Sequence, residues 1–294
     1  MSLSAPEIHL KPSTSTSTSS APRVKPAPDA FDVPVPFEYA PSNDGTDENL
    51  LVLLHGLGEH TLTSWTTLLG ITAEFMPLRC LGDTHVPFAE LGKQLRLPQT
   101  ATLALRAPQQ IPYLYEEAFQ WYPSFDDLGD TIAHPDPAPG VSVLITVIEH
   151  LTSACSWQPG QIHLFGFAQG GSVALEVALT SWKARPRDPE PAEERAHALG
   201  SVVSVGGPLL LHHAISTPCA TPALVLERPA PSGLALSESD CAALRRVFEA
   251  MKATRLGAGE SMPASQEEWW PVMEFWSQRL GRRTGEGLYE VLTA

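Results

Sequence analysis

The chain has 294 residues, 43% hydrophobic and 18% charged, which suits one large α/β domain with a substantial core. A formal net charge of −14 argues against a general nucleic-acid or anionic-membrane surface, and no apolar run reaches the roughly 18 residues of a membrane span. Cys80, Cys155, Cys219 and Cys241 are scattered without ligand spacing, so they read as reduced thiols of a cytoplasmic protein, and no metal or cofactor is implied.

Residues 1–30 are low-complexity Ser/Thr/Pro without apolar periodicity and are expected to be disordered, because they cannot bury enough surface to offset chain entropy. They contain no secretory h-region. Their serine content leaves a mitochondrial presequence as the alternative to a solvated tail, although Arg23 is their only arginine and Glu7 and Asp29 interrupt the pattern.

A domain is expected over 31–294. Phe31 to Tyr39 alternates apolar and polar residues around prolines, an edge strand, and Leu50–Leu54 is a core strand. Pro87–Leu97 is a helix stopped by Pro98, and Ala101–Ala107 a strand ended by Pro108. A Pro-rich aromatic stretch follows, with Tyr113 and then Phe119 to Phe125. Val141–Ser156 reads as a helix, Ile162–Phe165 as a short buried strand, and the segment from Ser172 onward as a helix rich in good formers. Residues 181–200 are charged and proline-rich, a surface loop insertion. Leu199–Val205 and Thr221–Glu227 are strands, and Ser237–Thr254 is a helix capped by Ser237 or Ser239, with Glu238 or Asp240 in its first turn. A last amphipathic helix, Ser265–Leu280, carries Trp269, Trp270, Phe275 and Trp276. Strands alternating with helices at this spacing imply a mostly parallel sheet with helices on both faces, and such sheets bind ligands beyond the carboxyl ends of their strands.

Between the strand ending near Phe165 and the following helix lies Gly166-Phe167-Ala168-Gln169-Gly170-Gly171. This is the context of a nucleophile elbow, G-x-S-x-G, where glycines permit a sharp turn that lifts the central side chain above the sheet. The central residue is Ala168, whose methyl group cannot attack a carbonyl. Upstream, the strand Leu50–Leu54 runs into His55-Gly56-Leu57-Gly58. Together these two motifs resemble the acyl-protein thioesterase and carboxylesterase family of α/β-hydrolases, over about residues 47 to 282. The resemblance implies an α/β-hydrolase fold, and an oxyanion hole built from the N–H groups of Leu57 and Gln169 in a loop that His55 braces.

The resemblance also implies where a Ser, Asp/Glu, His triad would stand. The nucleophile position is Ala168. The family's acid follows the strand ending at Leu226, where this chain has Glu227-Arg228-Pro229 and no aspartate; Glu227 is the nearest carboxylate. The family's histidine follows a Gly-x-Gly turn, and Gly257-Ala258-Gly259 leads instead to Glu260. His134, His150, His212 and His213 occupy no triad position, and Ser172 reads as packing. Glu227 and Glu260 both belong to loops at the carboxyl edge and are expected either to face one another near Ala168 or to be solvated. A single replacement of a catalytic serine explains one departure, not three. The expectation is therefore a pseudo-hydrolase that binds an acyl or ester small molecule or a protein partner. The alternative is an active esterase or thioesterase, either inactivated by Ser-to-Ala at 168 or using non-standard residues.

Overall fold

Leu50, Val52 and Leu54 project from one side of an extended strand, Leu51 and Leu53 from the other, and all five are completely buried. A strand buried on both sides requires a layer of helices on each face of its sheet. The computed structural model, which describes residues 9–12, 23–27, 35–57, 84–111, 118–126, 130–185, 196–282 and 289–292, has this layering. In chain order the elements are β1 (Phe37–Ala40), β2 (Asn49–Leu54), α1 (Val86–Leu95), β3 (Thr100–Leu105), α2 (Ala138–Ser153), β4 (Ile162–Phe167), α3 (Gln169–Lys183), β5 (Ser201–Val205), β6 (Ala223–Glu227), α4 (Glu238–Val247), β7 (Met251–Arg255) and α5 (Gln266–Ser277).

The strands form one seven-stranded sheet in the order β7-β6-β5-β4-β2-β3-β1. Every neighbouring pair is parallel except the edge pair β1–β3. On one face Leu50, Val52 and Leu54 join Leu144, Val147 and Leu151 of α2, the apolar side of α3, and Leu244 of α4. On the other, Leu51, Leu53, Phe165 and Val203 pack with Ala89 of α1 and with Val272, Phe275 and Trp276 of α5. Each fully buried Leu or Val stabilises the fold by about 1.5–3 kcal/mol. This is the α/β-hydrolase architecture that the sequence led us to expect.

The segment Ser237–Thr254 is not one helix. Ser237 caps α4 in a reciprocal arrangement with Asp240, but the helix stops at Val247. Phe248 is extended, and Met251–Arg255 pairs in parallel with β6. These five residues are exposed or half-buried, so they show no apolar alternation; pairing with β6 at the open edge, not local propensity, makes them a strand. The charged Lys252 and Arg255 lie on that edge and discourage pairing with a further strand.

Two pieces of the segment expected to be disordered are placed. His9–Pro12 pairs antiparallel with Tyr289–Leu292. Arg23 donates to the carbonyl of Ser156 and to Gln161 Oε1 (2.7 Å) while its guanidinium lies 4.7 Å from the Trp157 ring. Of the expected edge strand 31–39, the part from Phe37 forms β1, and residues 28–34 lie outside the described residues. So do Tyr113 and the middle of the 181–200 insertion, although α3 runs through Lys183 before it and β5 begins at Ser201 after it. Among the described residues no helix is long and apolar enough to cross a membrane.

Candidate functional site

Strand β4 and helix α3 are separated by a single residue, Ala168, with φ 46° and ψ −113°. A non-glycine residue there is strained by about 1–3 kcal/mol, and the surrounding contacts hold it in place. The Ala168 N–H donates to Val205 O (2.8 Å), and its carbonyl accepts from Ser172 N (3.1 Å). The turn is possible because its neighbours lack side chains. A Cβ on Gly166 would lie 2.2 Å from Gly170 O, one on Gly170 2.4 Å from Leu54 O, and one on Gly207 2.3 Å from Ser172 N. Backbone atoms cannot give way as a flexible side chain can. Gly166→Ala is therefore expected to cost about 3 kcal/mol of stability, read from urea denaturation; an unchanged midpoint would show that the turn can relax.

Residues 55–57 lie directly against this turn: a Cβ on Gly56 would meet the Phe167 carbonyl at 2.9 Å and the Ala168 methyl at 3.2 Å. His55 braces the loop. Its Nε2 accepts from Ala107 N (3.0 Å), so Nδ1 carries the proton and donates to Gly56 O (3.0 Å). Burial lowers the His55 pKa to about 4; the bond to Gly56 opposes this, and the nearby His85 and Arg106 add to it. Trp121 Nε1 donates to His55 O (2.7 Å). Gln169 fastens the same aromatic stretch: its Oε1 accepts from Trp121 N (3.0 Å), and its Nε2 donates to Tyr122 O (3.0 Å) and Ser124 Oγ (2.6 Å). The backbone N–H of Gln169, the first of α3, cannot bond within its helix. Among the described residues neither it nor the Leu57 N–H has an acceptor. Gly58 lies outside the described residues.

Glu227 and Glu260, expected either to face one another or to be solvated, are each hydrogen-bonded elsewhere. Glu227 Oε1 accepts from Arg255 Nε (3.1 Å). Glu260 Oε2 accepts from Ser232 Oγ (2.9 Å) and Gly233 N (3.0 Å). Next to Glu227 in the chain stands a residue that the sequence reading did not single out. Arg228 is 2% exposed and uses all five of its N–H donors. They go to Ser261 O, Gly257 O, Met262 O and both oxygens of Glu268, at 2.8–3.1 Å. Glu268 also accepts from Gly257 N and Ala264 N. One ion pair thus ties the end of β6, the 257–262 turn and the first turn of α5 together. Burial raises the Glu268 pKa, but its bonds to Arg228 and to these backbone N–H groups outweigh that and hold it below the usual carboxylate range.

Of the remaining candidates, His134 and His212 are exposed, and His213 and Ser172 are buried. His213 Nε2 lies 2.6 Å from Glu176 Oε2, and Lys183 Nζ donates to its Nδ1 (2.7 Å). Glu176, fully buried on α3, also accepts from the N–H groups of Leu210 and Leu211, so the group pins the loop after β5 to α3. Ser172 is buried within α3. His150 is in the last turn of α2, at the opposite end of the sheet from the elbow. On α5, Trp276 is fully buried, and Trp269 stacks on Phe165 at 5.8 Å, which makes them core residues. Trp270 faces solvent. Arg106, read only as part of a strand, stands at the carboxyl end of β3 with its guanidinium 4.0 Å from the Phe119 ring. Among the described residues no cluster of His, Cys, Asp and Glu could hold a metal ion.

Comparison with known proteins agrees with this geometry. Residues 78–221 match the model of the phospholipase/carboxylesterase family. An uncharacterised hydrolase of Mycosarcoma maydis is 34% identical over 246 residues, covering 82% of this chain and 80% of its own. Among solved structures, the esterase PE8 superposes with a TM-score of 0.59 at 20% identity, covering 84% of this chain and 99% of its own. Zea mays acyl-protein thioesterase 2 superposes at 0.55 and 18% identity, with the same coverage. A relative this similar over most of both chains, together with the elbow and its bracing loop, places the chain in the phospholipase/carboxylesterase family of α/β-hydrolases.

Proposed function

We propose that this protein is a non-catalytic member of its family, which binds an acyl or ester small molecule, or a protein partner, at the carboxyl edge of the sheet without turning it over. The observation that carries this reading is the methyl group of Ala168 on a turn that otherwise keeps a nucleophile's backbone geometry. The Leu57 and Gln169 N–H groups would receive the ligand's carbonyl oxygen, in the manner of an oxyanion hole. The Arg228–Glu268 ion pair supports the reading. It ties together the end of β6 and the 257–262 turn, the two segments from which the family's acid and histidine would come, and it fits a chain built without them better than one that lost a serine alone. The strained φ of Ala168 favours the second reading, an esterase or thioesterase whose serine has been replaced.

Hydrolysis of a short-chain p-nitrophenyl ester separates the two. A serine at 168 needs a histidine to take its proton and an acid to orient that histidine. Here Glu260 occupies the histidine position, and a carboxylate is a weak base towards a hydroxyl at neutral pH. Ala168→Ser is expected to show no turnover above background, and Ala168→Ser with Glu260→His only a trace, since loss of triad members costs about 10⁴–10⁶ in rate. Robust turnover by the single variant would establish a working base and end the non-catalytic reading.

A further inference from the structure

Three polar groups beside the elbow lack partners among the described residues, and all three are suited to donating to an anion. Thr84 Oγ1, His85 Nδ1 and Arg106 Nε are each buried at the atom, and among the described residues none has a hydrogen-bond partner. The whole Arg106 guanidinium has no hydrogen bond or ion pair among the described residues; it only stacks on Phe119. Thr84 and His85 lead into α1, a ten-residue helix whose cap position makes no side-chain bond and whose first turn holds no acid. Its free N–H groups and dipole therefore favour negative charge.

His85 and Arg106 lie close enough to His55 for both to lower its pKa, and Thr84 directly precedes His85. Phe88, in the first turn of α1, meets the His55 ring edge-on at 6.5 Å, which puts the start of α1 at the carboxyl edge of the sheet. On the other side Ala107, next to Arg106, bonds His55 Nε2. Arg106 and His85 feel each other electrostatically: burial and the Arg106 charge both lower the His85 pKa, against a smaller upward pull from Glu38. Glu38 is itself engaged by Lys93 (2.6 Å).

We propose that this corner binds a carboxylate, an organic acid or an acid-bearing acyl chain, with Arg106 as its counter-charge and Thr84 and His85 as neighbouring donors. A guanidinium edge matches a carboxylate in plane and spacing. With His85 kept neutral, the corner carries a single positive charge, which complements a monoanion better than a phosphate dianion. Arg106 is half-buried with its Nε shielded from water, and among the described residues nothing supplies its counter-charge, a role that a ligand carboxylate would fill. The proposal names the ligand of the non-catalytic site above and rests on that reading for the ligand's remaining intact.

Calorimetric titration of the full chain with hexanoate, methyl hexanoate and inorganic phosphate at one ionic strength tests it. Hexanoate is expected to bind, and the neutral ester to bind about tenfold or more weakly, as loss of a charged hydrogen-bond partner implies. Arg106→Met should weaken hexanoate by a similar factor while leaving the melting temperature without ligand equal or higher. Thr84→Val, which removes only a hydroxyl, should weaken it by a smaller factor in a protein of unchanged melting temperature. Equal hexanoate affinity in wild type and Arg106→Met, or tighter binding of phosphate, overturns the proposal. Ester binding without hexanoate binding sinks the carboxylate and leaves the acyl-binding reading standing. Ester hydrolysis sinks the non-catalytic reading, and Arg106-dependent hexanoate binding would then still support the carboxylate site.

Discussion

Replacing Arg228 by methionine is expected to remove about 3–5 kcal/mol of folding free energy, the usual cost of breaking a buried ion pair from one side. Methionine fills some of the volume but leaves three carbonyl oxygens and the Glu268 carboxylate without their donor. Arg228→Lys keeps the charge, yet one ammonium cannot span the 257–262 turn and both carboxylate oxygens, so it should lose most of the same amount. Against a total stability of about 5–15 kcal/mol for a domain, the methionine variant should melt far below wild type. The measurement is urea denaturation of wild type, Arg228→Met, Glu268→Gln and the double variant. Coupling between the two sites below about 0.5 kcal/mol would show that the pair does not act as a unit.

Acid should weaken the protein well above the carboxylate range. Burial lowers the pKa of both His55 and His163 to about 4, from an ordinary 6.5. Both rings are therefore neutral in the fold, while the unfolded chain takes up protons below about pH 6.5. Stability is complete above the unfolded value and is lost as pH falls from about 6.5 towards 4, by about 3 kcal/mol for each ring at about 1.4 kcal/mol per unit. Glu268 adds a second loss at lower pH: its folded pKa is depressed, so its contribution is present above the unfolded value and disappears as pH falls through the folded one. Urea denaturation at pH 7.5, 6.5, 5.5 and 4.5 gives the slope. His163→Gln, which can still meet Ser201 Oγ, should reduce it by one proton's worth. A stability that stays flat between pH 6.5 and 5 would mean that these rings are hydrated.

The sequence alone determined the layers and the elbow, because both rest on local rules. Runs such as Leu50–Leu54 and Ile162–Phe165 are too apolar to be anything but doubly buried strands, and the glycines of the 166–171 segment permit a turn that few other residues allow. The same reading drew attention to positions 168, 227 and 260, since each follows a recognisable strand or Gly-x-Gly turn. What those positions do was decided by tertiary structure. Arg228 sits in a proline-rich loop with nothing nearby in sequence to mark it; its partners lie 29–40 residues further on. Arg106 looked like the end of a strand, and only the arrival of α1 and the lack of a counter-ion among the described residues set it apart. Met251–Arg255 reads as the tail of a helix until β6 offers it an open edge. In each case the deciding free energy comes from pairing or from desolvated charge, and both depend on which distant residues the fold brings together.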